Sequence, residues 1–476
     1  MNYTSGIVIK EFDLAPAFPG RTVSSVRNVC LMPTGEIAFL AVLSVTDAAE
    51  PQPFALYVGL PGNLRTWLRS DDQDLPGYPT GARYYSVETF QPIGSDKFCV
   101  IAEVVVPGTG LERSLFIVSS TAKELIWRKG QPALCPALAA TRHYLFGFAS
   151  NTSSRRLLVH SSVDGPLITQ DNDEFIEYGA DGRLDQFGWR EGLPFPNQVT
   201  PRWFENPSGR PALSGGGIAF PFSRVDSGRE GVARSDGAGA HCLASPQSNL
   251  AGYPGFTVQQ VGEWAGCSSD GKVLFFAEAL SPSGGVIGLL MEYSETRQAA
   301  VLGLVGEAAP GLLPPASVVK FLGGGYSCGK ITLEVAIDAS NRTVLYQGMA
   351  PFSSMHLLWD SMAPTVWRPD QAPGKMNYWA LGPNGEVIVN LSFSPSSEQA
   401  LVRLVQQQPP VVIARSGDTI DGYPLEGFSF ASHVSWGLEG GHGSPCVAEN
   451  GDVAYEAMMP YGAGKAWVLV LAKPQA

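Results

Sequence analysis

Charge is scarce in this chain: Asp, Glu, Lys and Arg make up only 16% of its 476 residues. Long surface helices need Glu, Lys and Arg on their wet faces, so the shortage argues against a helical protein. What charge there is runs acidic, with a formal net charge of −12. A nucleic-acid partner would call for clustered Lys and Arg to displace counterions, and that class is set aside. No apolar run approaches the roughly eighteen residues of a membrane helix, so no membrane insertion is expected. The stretch from Met1 to Asp13 has neither a basic segment nor a continuous apolar core, and does not read as a secretion signal. The expectation is synthesis in the cytoplasm, with assembly into a virion as one destination. Cysteine is sparse as well. The seven thiols form no C-x-x-C pair, and the six histidines show no H-E-x-x-H spacing, so neither a zinc site nor a disulfide framework is indicated.

What the chain does have is turn formers. Gly 54 and Pro 37 together make about a fifth of it, against a usual share near 12%. With 44% hydrophobic residues alongside, the composition suits many short strands joined by tight turns. Alternating runs support this, each opened by a glycine: Gly35 to Phe39, Gly271 to Phe275, Gly385 to Val389 and Gly451 to Tyr455. The runs recur. Copies of one unit begin near Ile7, Trp67, Trp127, Gly188, Leu243, Leu302, Leu358 and Ile413. The unit boundaries are therefore 7–66, 67–126, 127–187, 188–242, 243–301, 302–357, 358–412 and 413–476. About sixty residues holding four antiparallel strands is the size of one propeller blade. The expected fold is an all-β, eight-bladed β-propeller forming a single domain over 1–476. The alternative is seven blades with one degenerate repeat, because 127–242 match least well.

The phrase Ala414-Arg-Ser-Gly-Asp418 with Gly422-Tyr-Pro424, followed by Ala448-Glu-Asn-Gly-Asp-Val-Ala-Tyr455, resembles an uncharacterised bacterial family of tandem-repeat propellers. Its units read A-R-x-G-D, then P-G, then N-x-x-G-x-V-A-F. The resemblance covers the last repeat well and the rest weakly. It implies the propeller fold and says almost nothing about chemistry.

Catalytic signatures are incomplete. Gly324-Gly-Tyr-Ser-Cys-Gly-Lys330 nearly spells a phosphate loop, but Ile331 stands where Ser or Thr must meet magnesium, and the segment falls on a strand-to-strand turn. His442 sits beside Ser444 without a G-x-S-x-G elbow. Ser268-Ser-Asp-Gly-Lys272 lacks the spacing and the Trp of a sialidase-type turn. No cofactor is expected; the one weak calcium candidate is Asp171-Asn-Asp-Glu174 with Asp181 and Asp185.

The most informative constellation comes from aligning the repeats at the start of each inner strand. Arg21, Arg83, Arg142 and Arg202 fall at matching places, accompanied by Tyr84, His143 and Trp203, and Lys375 restores a cation in copy seven. If these lie at one mouth of the central channel, planar guanidinium forks beside aromatic rings suit an anionic or sugar-like ligand. The competing reading gives each Arg an inter-blade packing role, as for a second series at Arg69, Arg128, Arg190 and Arg415. With no complete catalytic set, the favoured function is a non-catalytic binding or scaffolding propeller for a protein or glycan partner, such as a component of a phage virion or tail. A channel-centred hydrolase or lyase using the Arg and aromatic cluster, and a surface or exported lectin-like protein, are the alternatives.

Overall fold

The computed structural model describes residues 2–46, 51–133, 140–151, 156–165, 172–179, 184–190, 201–202, 212–214, 217–224, 230–236, 239–244, 246–268, 270–294, 299–312, 315–338, 342–363, 365, 373–393, 396–429 and 446–475. Every regular element among them is a β-strand apart from a single 3-10 turn, Phe352–Ser354. Seven antiparallel sheets follow one another along the chain, at residues 23–69, 83–128, 141–190, 201–244, 257–304, 318–360 and 373–415. We call these blades 1 to 7. An eighth sheet joins the two ends of the chain: residues 427–474 supply its inner strands and Tyr3–Lys10 its outermost one. Successive inner strands neighbour one another, and Val23–Leu31 of blade 1 meets the strands of the eighth sheet, so the sheets close into a propeller. The expected count of eight comes from all these sheets; the alternative count of seven corresponds to those built from consecutive chain alone.

The repeat and the blade are offset by one strand. All eight predicted repeat starts fall inside the outermost strand of a sheet, from Ile7 in Tyr3–Lys10 and Trp67 in Asn63–Arg69 to Ile413 in Val411–Arg415. A chain that begins on an outer strand must end one strand short. The first segment therefore pairs with Gly464–Pro474, in a register running from Tyr3 opposite Pro474 to Lys10 opposite Val468. No sheet then has to hold its ends together with loop contacts alone.

The period-two runs form the second strand of each blade, and the glycine before them closes the hairpin from the inner strand. Gly35 and Gly451 sit at φ of +79° and +83°, a region that a side chain disfavours. The core is a set of separate clusters between neighbouring sheets. Trp67 and Phe98 pack between blades 1 and 2, Trp127 and Leu145 between 2 and 3, and Trp359 and Trp379 between 6 and 7. Each blade is thus stabilised by its two neighbours, the energetic pattern of repeat proteins. Cys30, Cys99, Cys242, Cys267 and Cys328 carry free thiols.

Candidate functional site

Connections from the outer strand of one blade to the inner strand of the next, and the hairpins between second and third strands, emerge at one end of the ring. We call this the connection face. The sequence motif R-x-G-D lies there and has a local cause. The Asp or Gln side chain accepts a hydrogen bond from the N–H three residues earlier: Asp13 from Lys10 (2.9 Å), Asp72 from Arg69 (2.8 Å), Gln131 from Arg128 (3.0 Å) and Asp418 from Arg415 (2.7 Å). The cation ending the outer strand lies over an aromatic ring of the loop that enters its own blade. Arg128 stands 4.1 Å from the Tyr78 ring centre, Arg69 4.4 Å from Phe18, and Lys10 4.8 Å from Tyr423. The second arginine series is thereby structural at Arg69 and Arg128. The side chain of Arg190 lies outside the described residues.

The residue before the capping group has a left-handed backbone in five connections. Its N–H bonds to a residue at or just before the next inner strand, whose own N–H bonds back to the capping residue. The five are Gly130, Gly306, Gly417, Gln247 and Phe12, with φ of +80°, +94°, +90°, +72° and +73°. Phe12 is thus a bulky aromatic in a glycine position. It is 50% exposed, and its ring stacks on Tyr461 with centroids 4.8 Å apart. Leu14 and Trp467 are exposed beside it, at the seam where the eighth sheet meets blade 1.

The same backbone pattern corrects the alignment of the first arginine series. The buried residues that return the hydrogen bond are Val23, Arg142, Val258, Val318 and Leu425. The bridge that precedes them links Thr22, Arg83, Thr141, Thr257 and Ser317 to their connections. Arg21, Arg83 and Arg142 therefore occupy three successive positions, so the described residues place no guanidinium ring at the channel mouth. Arg21 is half-buried and donates to the Ser44 carbonyl (2.8 Å). Arg83 is exposed. Arg142 is buried in an aliphatic position, where it donates to the Ile126 carbonyl (2.8 Å), Gln131 Oε1 (2.7 Å) and the Tyr178 hydroxyl (2.8 Å). Tyr84 is buried between blades, and burial raises its hydroxyl pKa above the usual value. The side chain of Arg202, and Trp203 altogether, lie outside the described residues.

A β-bulge in six of the inner strands, just past this point, forms the row at the mouth among the described residues. The extra residues are Ser24, Tyr85, His143, Gln259, Val319 and Gly374. The next row holds Ser25, Ser86, Tyr144, Gln260, Lys320 and Lys375. Of the predicted residues, His143 and Lys375 belong here, both exposed. The mouth is two-sided: tyrosines Tyr85 and Tyr144 stand on blades 2 and 3, and lysines Lys320 and Lys375 across the ring on 6 and 7. Sequence reasoning singled out Tyr84, which is buried, and not Tyr85, because a bulge leaves no trace in composition.

The remaining candidates resolve simply. Gly324 lies in the strand Val318–Ser327 and the segment turns at Cys328 and Gly329 into Lys330–Ile337, the strand-to-strand turn expected. A Cβ at Gly324 would meet Leu333 Cδ2 at 2.7 Å, so this glycine admits a neighbouring strand. Of the calcium candidate, Glu174 is fully buried and accepts from Ser161 Oγ (3.0 Å). Asp171 and Asp181, the side chains of Asn172, Asp173 and Asp185, and His442 with Ser444 lie outside the described residues.

No protein-family model matches the chain, and no curated protein matches it. Solved structures do. Trypanosoma rangeli sialidase is 9% identical over 99% of this chain and 59% of that one, with a TM-score of 0.29. An acylaminoacyl peptidase is 8% identical over 92% of this chain and 58% of that one, with a TM-score of 0.40. Oligogalacturonate lyase is 13% identical over 85% of this chain and 98% of that one, also at 0.40. The chain spans less than two thirds of the sialidase and peptidase chains, and at these identities the likeness concerns the fold alone.

Proposed function

We propose that this protein is a non-catalytic binding propeller that engages a protein partner through its connection face, at the seam between the eighth sheet and blade 1. The carrying observation is Phe12. A non-glycine residue in the left-handed region costs about 1–2 kcal/mol. Stacking on Tyr461 returns about 0.5–1.5 kcal/mol. The ring thus gains the fold little or nothing, and glycine serves at the same place in three other connections. A strained, exposed aromatic beside Leu14 and Trp467 is the makeup of a docking hot spot. The wider distribution agrees: among the described residues, exposed large apolar side chains crowd the connection face, while Leu60 and Met349 stand at the opposite end. A rigid acidic ring with one apolar face also fits a place in a large assembly such as a phage virion or tail.

Phe12→Gly separates function from fold. The melting temperature should stay the same or rise, whereas a partner captured from host extract by the wild-type protein should be lost. Equal capture by both proteins, at equal stability, would contradict the proposal.

A further inference from the structure

A second constellation stands at the channel mouth between blades 2 and 3, away from the seam. Arg113, on the third strand of blade 2, reaches across to blade 3. Its Nη2 donates to Glu88 Oε2 (2.5 Å), and its Nη1 donates to the Leu145 carbonyl and to the Tyr144 hydroxyl (3.3 Å). The guanidinium carbon lies 5.5 Å from the Tyr144 ring centre. Beside it, directly across the strand pair, is Glu103, which accepts from Ser86 Oγ (2.8 Å). The backbone carbonyl of Glu88 accepts from Asn28 Nδ2 of blade 1 (2.9 Å), so the Glu88 segment is tied to blade 1 and, through Arg113, to blade 3. Tyr85, on the bulge just before Ser86, and Tyr144 are 42% and 48% exposed.

We infer that this is a binding site for a neutral sugar, a pyranose without carboxylate, phosphate or sulfate. Two exposed tyrosine rings offer flat apolar faces for the C–H side of a pyranose. Glu88 and Glu103 keep acceptor capacity for sugar hydroxyls, since an ionised carboxylate has about four lone-pair directions. The cation present is already committed: both terminal nitrogens of Arg113 are bonded to groups of the protein. The remaining Arg113 nitrogen, Nε, is buried, so an acidic sugar would find two carboxylates near it and a guanidinium whose terminal nitrogens are already bonded. The inference adds a ligand class to the binding reading above but uses different residues, so either can fail alone.

The test is a binding survey of the full chain on an array carrying neutral hexose oligosaccharides, sialylated glycans and uronic-acid oligosaccharides. The best neutral ligand is then followed by calorimetry with Tyr85→Ala. The Tyr85 side chain is on a bulge, and its loss should leave the melting temperature within about a degree. The site predicts binding to neutral glycans and a weakening of roughly tenfold in Tyr85→Ala. Three results would overturn it: preference for sialylated or uronic glycans, undiminished affinity in Tyr85→Ala, or no neutral glycan bound at millimolar concentration. None of these would bear on capture through Phe12.

Discussion

Removal of residues 1–10 should lower stability by at least about 5 kcal/mol and turn the protein into a self-associating species. Val8 and Ile9 are buried against blade 1 in the eighth sheet, at about 1.5–3 kcal/mol each when fully buried. The ladder to Gly464–Pro474 adds backbone hydrogen bonds of about 1 kcal/mol apiece. Side-chain ties are lost as well: the Tyr3 hydroxyl donates to the Gly451 carbonyl (3.2 Å), and Asp421 accepts from the Ile7 N–H (3.1 Å). The consequence reaches beyond energy. Deleting the strand uncovers the edge of Gly464–Pro474, an apolar strand of eleven residues with unpaired N–H and C=O groups. Such an edge pairs readily with another copy. Thermal unfolding and size-exclusion chromatography of the truncated protein measure both effects. A monomer melting at the full-length temperature would mean that the first strand is not part of the ring.

Arg142→Ala should destabilise by about 3 kcal/mol, whereas Arg83→Ala should change stability by less than about 0.5 kcal/mol. Arg142 is 5% exposed, and its removal takes away the donor that the Ile126 carbonyl and the Tyr178 hydroxyl accept from in a buried setting. Each orphaned group costs about 1–3 kcal/mol. Arg83 faces solvent at the head of its strand and takes nothing with it. A matched pair of melting curves shows the contrast. Equal losses from both substitutions would mean that the two arginines share a position after all.

The ring was legible in the sequence because its signals are short-range. A glycine with positive φ before an alternating run marks the same hairpin at Gly35, Gly271, Gly385 and Gly451, whatever the neighbouring blades contain. The Ala-Arg-x-Gly-Asp phrase was legible for the same reason, since one capping hydrogen bond and one left-handed residue explain it. The arginine series failed where the signal is long-range. The connection from the left-handed turn to the buried return residue runs from Phe12 to Val23, from Gly130 to Arg142 and from Gly417 to Leu425, so its length changes between blades. Identical residue types then align out of phase, and on a strand a one-residue slip exchanges an exposed side chain for a buried one. The mouth itself is made by bulges at Tyr85 and His143, which only the pairing register reveals. Phe12 was visible in the sequence but meaningless until three of its four counterparts, Gly130, Gly306 and Gly417, proved to be glycine.

The blade phase, the seam and the position of Phe12 all depend on the first strand completing the last sheet. Amide hydrogen exchange tests this directly. In Tyr3–Lys10 the alternate amides that bond inward should exchange as slowly as those of Gly464–Pro474, opening only with global unfolding. Exchange of the whole segment within seconds, with Gly464–Pro474 still protected, would show an unpaired terminus and contradict the closed ring.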